Sequence, residues 1–157
     1  MPMETRASGF GEWRAAIRAA AVYTLGVFVF AFAVGAIRVT MLAPRLGELL
    51  AVILEAPVVL SFSWWISTWC CRRFKLSRDP RARAMMGGVA FAALMLIELG
   101  VARWVFGENL DHYLAKYTQT AGVVGLVMQV CFATIPWVQA RLTSDKNERS
   151  ASELRKL

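Results

Sequence analysis

Apolar positions along this chain neither alternate nor fall on a heptad; they run on without a break. Two runs are "AAAVYTLGVFVFAFAVGAI" over residues 19–37 and "LLAVILEAPVVLSFSWWISTWCC" over 49–71. A third covers roughly 84–105 and a fourth roughly 120–142. At 1.5 Å rise per residue, about 20 residues span about 30 Å, the thickness of a bilayer's hydrocarbon. Backbone surrounded by lipid must satisfy its own hydrogen bonds, so each run is predicted to be a helix. The fold predicted is an all-α membrane protein, a four-transmembrane-helix bundle. Residues 1–18 form an amphipathic leader, 19–142 the transmembrane domain and 143–157 a polar tail. The segment "ENLDHYLAKY" over 108–117 predicts a short amphipathic helix on the surface between the last two spans.

Composition supports this division. Hydrophobic residues make up 57% and charged residues 18%, and the apolar excess sits inside the four runs. The net charge is +7. In a soluble domain that excess would raise nucleic acid as a partner, but here the basic residues flank apolar runs, so a lipid bilayer is the partner expected. Fourteen of the 18 basic residues fall in three places. These are the leader (Arg6, Arg14, Arg18), the loop after the second run (Arg72, Arg73, Lys75, Arg78, Arg81, Arg83) and the tail (Arg141, Lys146, Arg149, Arg155, Lys156). The other four are Arg38, Arg45, Arg103 and Lys116. That bias predicts both termini in the cytoplasm, an N-in/C-in topology. Trp13, Trp65, Trp69 and Trp137 then mark the cytoplasmic interface and Trp104 the opposite one. The run from Arg72 to Arg83 is also a candidate contact for anionic lipid headgroups.

The chemistry of cofactors is thinly represented. Three cysteines, Cys70, Cys71 and Cys131, form no CxxC, and His112 is the one histidine. Neither a metal site nor a cofactor is expected. The cysteines and methionines read as packing residues. No nucleophile set or phosphate loop points to soluble-type catalysis.

The informative residues are the polar ones inside the runs. Glu55 lies seven residues beyond Glu48, about 10 Å deeper along a helix. Glu98 lies six residues before Trp104, about 9 Å deep, and Gln129 lies nine residues into the fourth run, about 13 Å along it. Three helices thus bring polar side chains to one layer of the non-cytoplasmic half, with Arg38, Arg45 and Arg103 at its rim. An ionised group in hydrocarbon costs on the order of 3 kcal/mol, so Glu55 and Glu98 are expected to face inward, either protonated or paired with an arginine. Glu48 and Glu55 share a helical face, and Arg45 is placed to pair with Glu48 if the helix starts early enough. The candidate cluster is therefore Arg38, Arg45, Glu48, Glu55, Glu98, Arg103 and Gln129.

Two prolines interrupt the runs and predict kinks. Pro57 leaves the carbonyl of Ile53 without its amide, and Pro136 does the same to Phe132. Small residues at Ala31 and Gly35, at Gly88 and Ala92, and at Gly122 and Gly125 are expected at helix contacts.

The stretch "GAIRVTMLAPRLGELLAVILEAPVVLSFSWW" resembles a family of small bacterial four-span inner-membrane proteins. Its pattern is an Arg, a Pro-Arg-x-Gly-Glu element and a Glu-x-Pro, here Arg38, Pro44 to Glu48, and Glu55 to Pro57. The resemblance extends loosely to the spans of Glu98 and Gln129. It implies a fold and a bacterial inner-membrane home, but no reaction. With no soluble domain and no cofactor ligands, the chain reads first as a non-enzymatic accessory or assembly partner, with the polar layer structural. Its partner would be a membrane protein or further copies of itself. The second reading is a proton- or cation-linked transporter or channel subunit using Glu55 and Glu98. A membrane-embedded enzyme acting on lipid comes third.

Overall fold

The computed structural model describes residues 4–154, with side-chain surroundings for residues 11–144. The described residues are helical and contain no strand. Helix α1 (Glu4–Ile37) continues through a π turn (Arg38–Leu42) into the single turn α2 (Ala43–Leu46). Helix α3 covers Glu48–Arg73. Helix α4 (Pro80–Gly100) also runs into a π turn, Val101–Val105. A short helix α5 (Leu110–Ala115) and a 3₁₀ turn (Lys116–Thr118) precede the long α6 (Thr120–Leu154).

Four segments are long and apolar enough to cross a membrane: Gly11–Leu46, Glu48–Arg73, Pro80–Val105 and Thr120–Ser144. Only about a fifth of the most apolar stretch of each span is buried within the protein (22, 22, 22 and 17%), so apolar side chains cover its outside as well. Leu25, Val29, Phe32, Leu54, Leu96 and Val127 all point outward. So do Trp13, Trp65, Trp69, Trp104 and Trp137. A surface of this kind suits lipid, not water.

The first span is longer than its hydropathy predicts. It does not stop at Ile37, and Arg38 lies within the helix and not beyond its end. Pro44 has no amide to give the Thr40 carbonyl, and the widened turn lies directly before it. Thr40 Oγ1 meanwhile donates to the Ala36 carbonyl at 2.8 Å. The chain reverses at Gly47, whose φ of 81° favours glycine. At the other end of the bundle, Asp79 caps α4 by accepting the Arg81 amide at 3.0 Å, with Pro80 in the first helical position. The polar tail continues the last span, because α6 runs unbroken to Leu154. Arg155 and Lys156, counted above with the basic tail, lie outside the described residues.

The four spans pack in a square. Helix α1 packs on α3 and α4, and α6 packs on the same two. The start of α1, the end of α6 and the 74–79 loop share one end; the turn at Gly47 and the 106–119 loop share the other. The core is made of small residues on α1 (Ala16, Ala19, Ala20) followed by Tyr23 and Val27, against Cys70, Cys71, Met86, Ala90, Leu94 and Phe132. Cys70 and Cys71 are buried as expected of packing residues, whereas Cys131 faces outward.

Close approach falls only in part on the expected glycines. A Cβ on Gly87 would collide with the Ala133 carbonyl, whereas Gly88 and Gly125 have open space around them. Gly87, not Gly88, sets the α4–α6 crossing. Gly122 is a contact, though its neighbour is the backbone of Lys116 and Tyr117, not another span.

The carbonyl freed by Pro136 has a partner. Tyr23 Oη donates to the Phe132 oxygen at 2.9 Å, and the two rings stack 4.4 Å apart across the diagonal of the square. Tyr23 is wholly buried, so this bond replaces the amide that proline lacks. Tyr23→Phe is expected to cost about 1–2 kcal/mol, because a buried carbonyl is left bare. Adding Pro136→Ala to Tyr23→Phe returns an amide to that carbonyl and should recover part of the loss. Unfolding midpoints of the two variants in detergent check this; no recovery would show that the hydroxyl and the proline are unrelated.

Candidate polar cavity between the helices

Two polar layers lie inside the bundle, and they differ in kind. The layer toward the termini is closed. Ser67 Oγ donates to Gln139 Oε1 at 2.9 Å, and Gln139 Nε2 donates to the Trp64 carbonyl at 2.8 Å and to Thr68 Oγ1 at 3.0 Å. Ser63 Oγ returns to the Val59 carbonyl at 2.7 Å, and Thr24 Oγ1 reaches Ala90 O at 3.3 Å. Each donor is used within the protein, which suits a network that holds α3 and α6 in register. This layer was not anticipated, since Gln139 sits where a span was expected to be ending.

The layer toward the loops opens on a cavity of about 670 Å³. Its walls are largely apolar, from Phe28 and Phe32 on α1 to Val52, Val101 and Met128. Val27, Val59, Leu94 and Phe132 belong both to its lining and to the buried core, and they form its floor. Phe106, Glu108 and Gln119 place its mouth at the loop end. Arg38, Glu48, Glu55, Glu98, Lys116 and Gln129 supply its charged and amide groups.

Glu55 is ion-paired. Arg38 Nε lies 2.7 Å from its Oε2, with the two side chains 23% and 12% exposed. The Nε–H is not aimed along that line, so the contact is ionic and not a linear hydrogen bond. The continued helix places Arg38 here: the helical path runs on for about two turns beyond it to Leu46, so Arg38 lies inside the span, opposite Glu55. Gly35 leaves room beside the pair, since a Cβ there would stand 3.8 Å from Glu55 Oε1.

Glu98 is held by other partners. Gln129 Nε2 donates to its Oε1 at 2.6 Å, joining α4 to α6 as the depth estimate predicts. Lys116 Nζ stands 3.8 Å from its Oε2. Lys116 also lies over two rings, 3.9 Å from the centre of Tyr113 and 5.0 Å from that of Tyr117. The two tyrosine hydroxyls are 3.0 Å apart, and burial raises both above the ordinary tyrosine range, so they are neutral donors at physiological pH. Gly122 lets this turn settle against the start of α6. Lys116 and Tyr117 were read as surface residues of a short helix. The signal was in the spacing: Tyr113, Lys116 and Tyr117 share one helical face just before a span.

Arg38, Glu48, Glu55, Glu98 and Gln129 therefore share one cavity. Arg45 and Arg103 do not join them. Arg45 is exposed and Gly47 breaks the helix between it and Glu48, so the three-residue spacing never brings them together. Glu48 lines the cavity without an ion-pair partner among the described residues. Arg103 turns to the loop instead, where its Nη1 donates to Asn109 Oδ1 at 3.2 Å and reaches Glu108 O at 3.5 Å. Both candidate prolines lie inside helices: Pro57 faces outward on α3, and Pro136 is buried. No group of three or more His, Cys, Asp or Glu residues with metal-binding geometry occurs among the described residues.

No protein-family model, curated protein or solved structure matches the chain.

Proposed function

We propose that this chain is a multi-pass protein of a bacterial inner membrane, with both termini cytoplasmic, that admits a cationic solute to a site between its helices. The observation that carries the reading is the cavity of about 670 Å³ with Glu55 and Glu98 in its wall. A structural cluster would be closed and fully paired, as the Gln139 layer is. The loop-end layer instead lines a space large enough for a small molecule, mostly apolar with a few convergent polar groups. Intramembrane carboxylates of this kind lie on ion and solute pathways. The charge bias of the loops supports the orientation, which turns the cavity mouth away from the cytoplasm. The core around Tyr23 and Phe132 closes the other side, so passage across the bilayer calls for helix movement or a pathway shared between copies.

The accessory-subunit reading keeps one observation in its favour. A second groove, lined by Ala84, Gly88, Phe91, Val130, Ala133, Thr134 and Trp137, offers small residues on the outside of α4 and α6, where a helix of a partner membrane protein fits.

Liposomes reconstituted with the protein separate the two. Cation or proton flux above that of empty liposomes is expected, falling to background in Glu55→Gln/Glu98→Gln. Absence of flux from the folded wild type would move the assignment to the accessory reading.

A further inference from the structure

The cavity wall narrows the class of solute. The pair that joins α4 to α6 leaves one acceptor open to the cavity. Gln129 Oε1 is buried and accepts no hydrogen bond, while its Nε2 is committed to Glu98 Oε1 at 2.6 Å. Glu98 Oε2 has only Lys116 Nζ, at 3.8 Å, beyond hydrogen-bond length. Arg38 is engaged with Glu55 at 2.7 Å. The open valence of Glu98 Oε2 thus calls for a donor, and as a carboxylate oxygen it favours a cationic one.

Lys116 shows what such a donor looks like. Its ammonium sits over the Tyr113 ring at 3.9 Å and near the Tyr117 ring at 5.0 Å, beside a carboxylate. Aromatic faces next to a carboxylate are the elements that recognise alkylammonium groups. Yet the Lys116 side chain is 43% exposed and reaches the site from the rim, leaving the apolar space below it unfilled. A free amine with an apolar body would fill both parts. Its chain would lie against Phe28, Val52 and Met128, and its ammonium would take the place of the Lys116 ammonium on Glu98 Oε2.

We infer that the cavity binds a small amphiphilic amine at Glu98, which Gln129 holds in place, and that Lys116 is a tethered cation which the ligand displaces. This rests on the solute-binding reading above and adds the ligand class and the competitor. A carboxylate of the same length is repelled by Glu98, and a neutral alcohol offers it one hydrogen bond without the ionic attraction.

Calorimetric titration of the protein in nanodiscs, with empty nanodiscs as the partition control, tests it. The probes are n-hexylammonium, hexanoate and hexanol. Hexylammonium is expected to bind saturably, hexanol at least about tenfold more weakly and hexanoate not at all. Glu98→Gln should weaken hexylammonium at least about tenfold through loss of a charged hydrogen bond. Lys116→Met should tighten it, because the internal competitor is gone. A folding defect does not tighten binding, so the second variant decides even where Glu98→Gln folds poorly. Saturable binding of hexanoate or hexanol in place of the amine, or a Lys116→Met affinity equal to or weaker than wild type, would overturn the amine assignment and leave a solute cavity standing. Saturable binding of none of the three would overturn both.

Discussion

Gly87→Ala is expected to destabilise the bundle by about 2–3 kcal/mol, the scale of overpacking a tight interior contact. The atom in the way is the backbone carbonyl of Ala133, which cannot rotate aside as a side chain would. Relief therefore requires α4 and α6 to move apart along their whole crossing. Gly88→Ala supplies the control one residue away. Nothing stands within 4 Å of a Cβ there, and alanine is the better helix former by up to about 1 kcal/mol, so this variant should be neutral or slightly stabilised. Unfolding midpoints in one detergent compare the two. Equal effects would mean that the crossing is not set by Gly87.

The second large effect concerns the ion pair in the cavity. Arg38→Met leaves the Glu55 carboxylate without its cation in a mostly apolar wall, and about 3 kcal/mol of stability should be lost. Arg38→Met/Glu55→Met removes both charges and keeps similar volume, and should recover most of it, since an apolar pair often replaces a buried ion pair at little cost. The pattern distinguishes a paired carboxylate from one that simply tolerates its place. A double variant as unstable as Arg38→Met alone would mean that the arginine matters through packing of its long stem, not through Glu55.

Much of this arrangement is legible in the sequence. Uninterrupted apolar runs can only be helices in lipid, and counting rises along them puts Glu98 and Gln129 in one layer, where a 2.6 Å bond joins them. The orphaned Phe132 carbonyl follows from Pro136 alone, because proline's missing amide is a local fact. Its partner does not follow. Tyr23 lies 109 residues away, and which face of α1 meets α6 depends on the packing of all four helices. Gly87 and Gly88 pose the same difficulty, being adjacent and chemically identical, with only the rotation of α4 choosing between them. Arg45 and Glu48 have the right spacing for a pair, but that spacing counts only along a continuous helix, and Gly47 ends it. Lys116 escaped notice because a lysine in a loop is ordinarily solvated; its meeting with Glu98 depends on the chain folding back across the bundle end.

The central claim is that the space around Glu55 and Glu98 opens away from the cytoplasm. Gly125 lines that space and has room for a side chain. The direct test uses a chain in which Cys70, Cys71 and Cys131 are alanine and Gly125→Cys is the sole thiol, treated in intact spheroplasts with a membrane-impermeant, positively charged thiol reagent. Val127→Cys, facing outward on α6, serves as the lipid-side control. The account predicts that Gly125→Cys is modified from outside without permeabilisation and that Val127→Cys is not. Modification of Gly125→Cys only after the cytoplasmic face is exposed, or not at all, would contradict it.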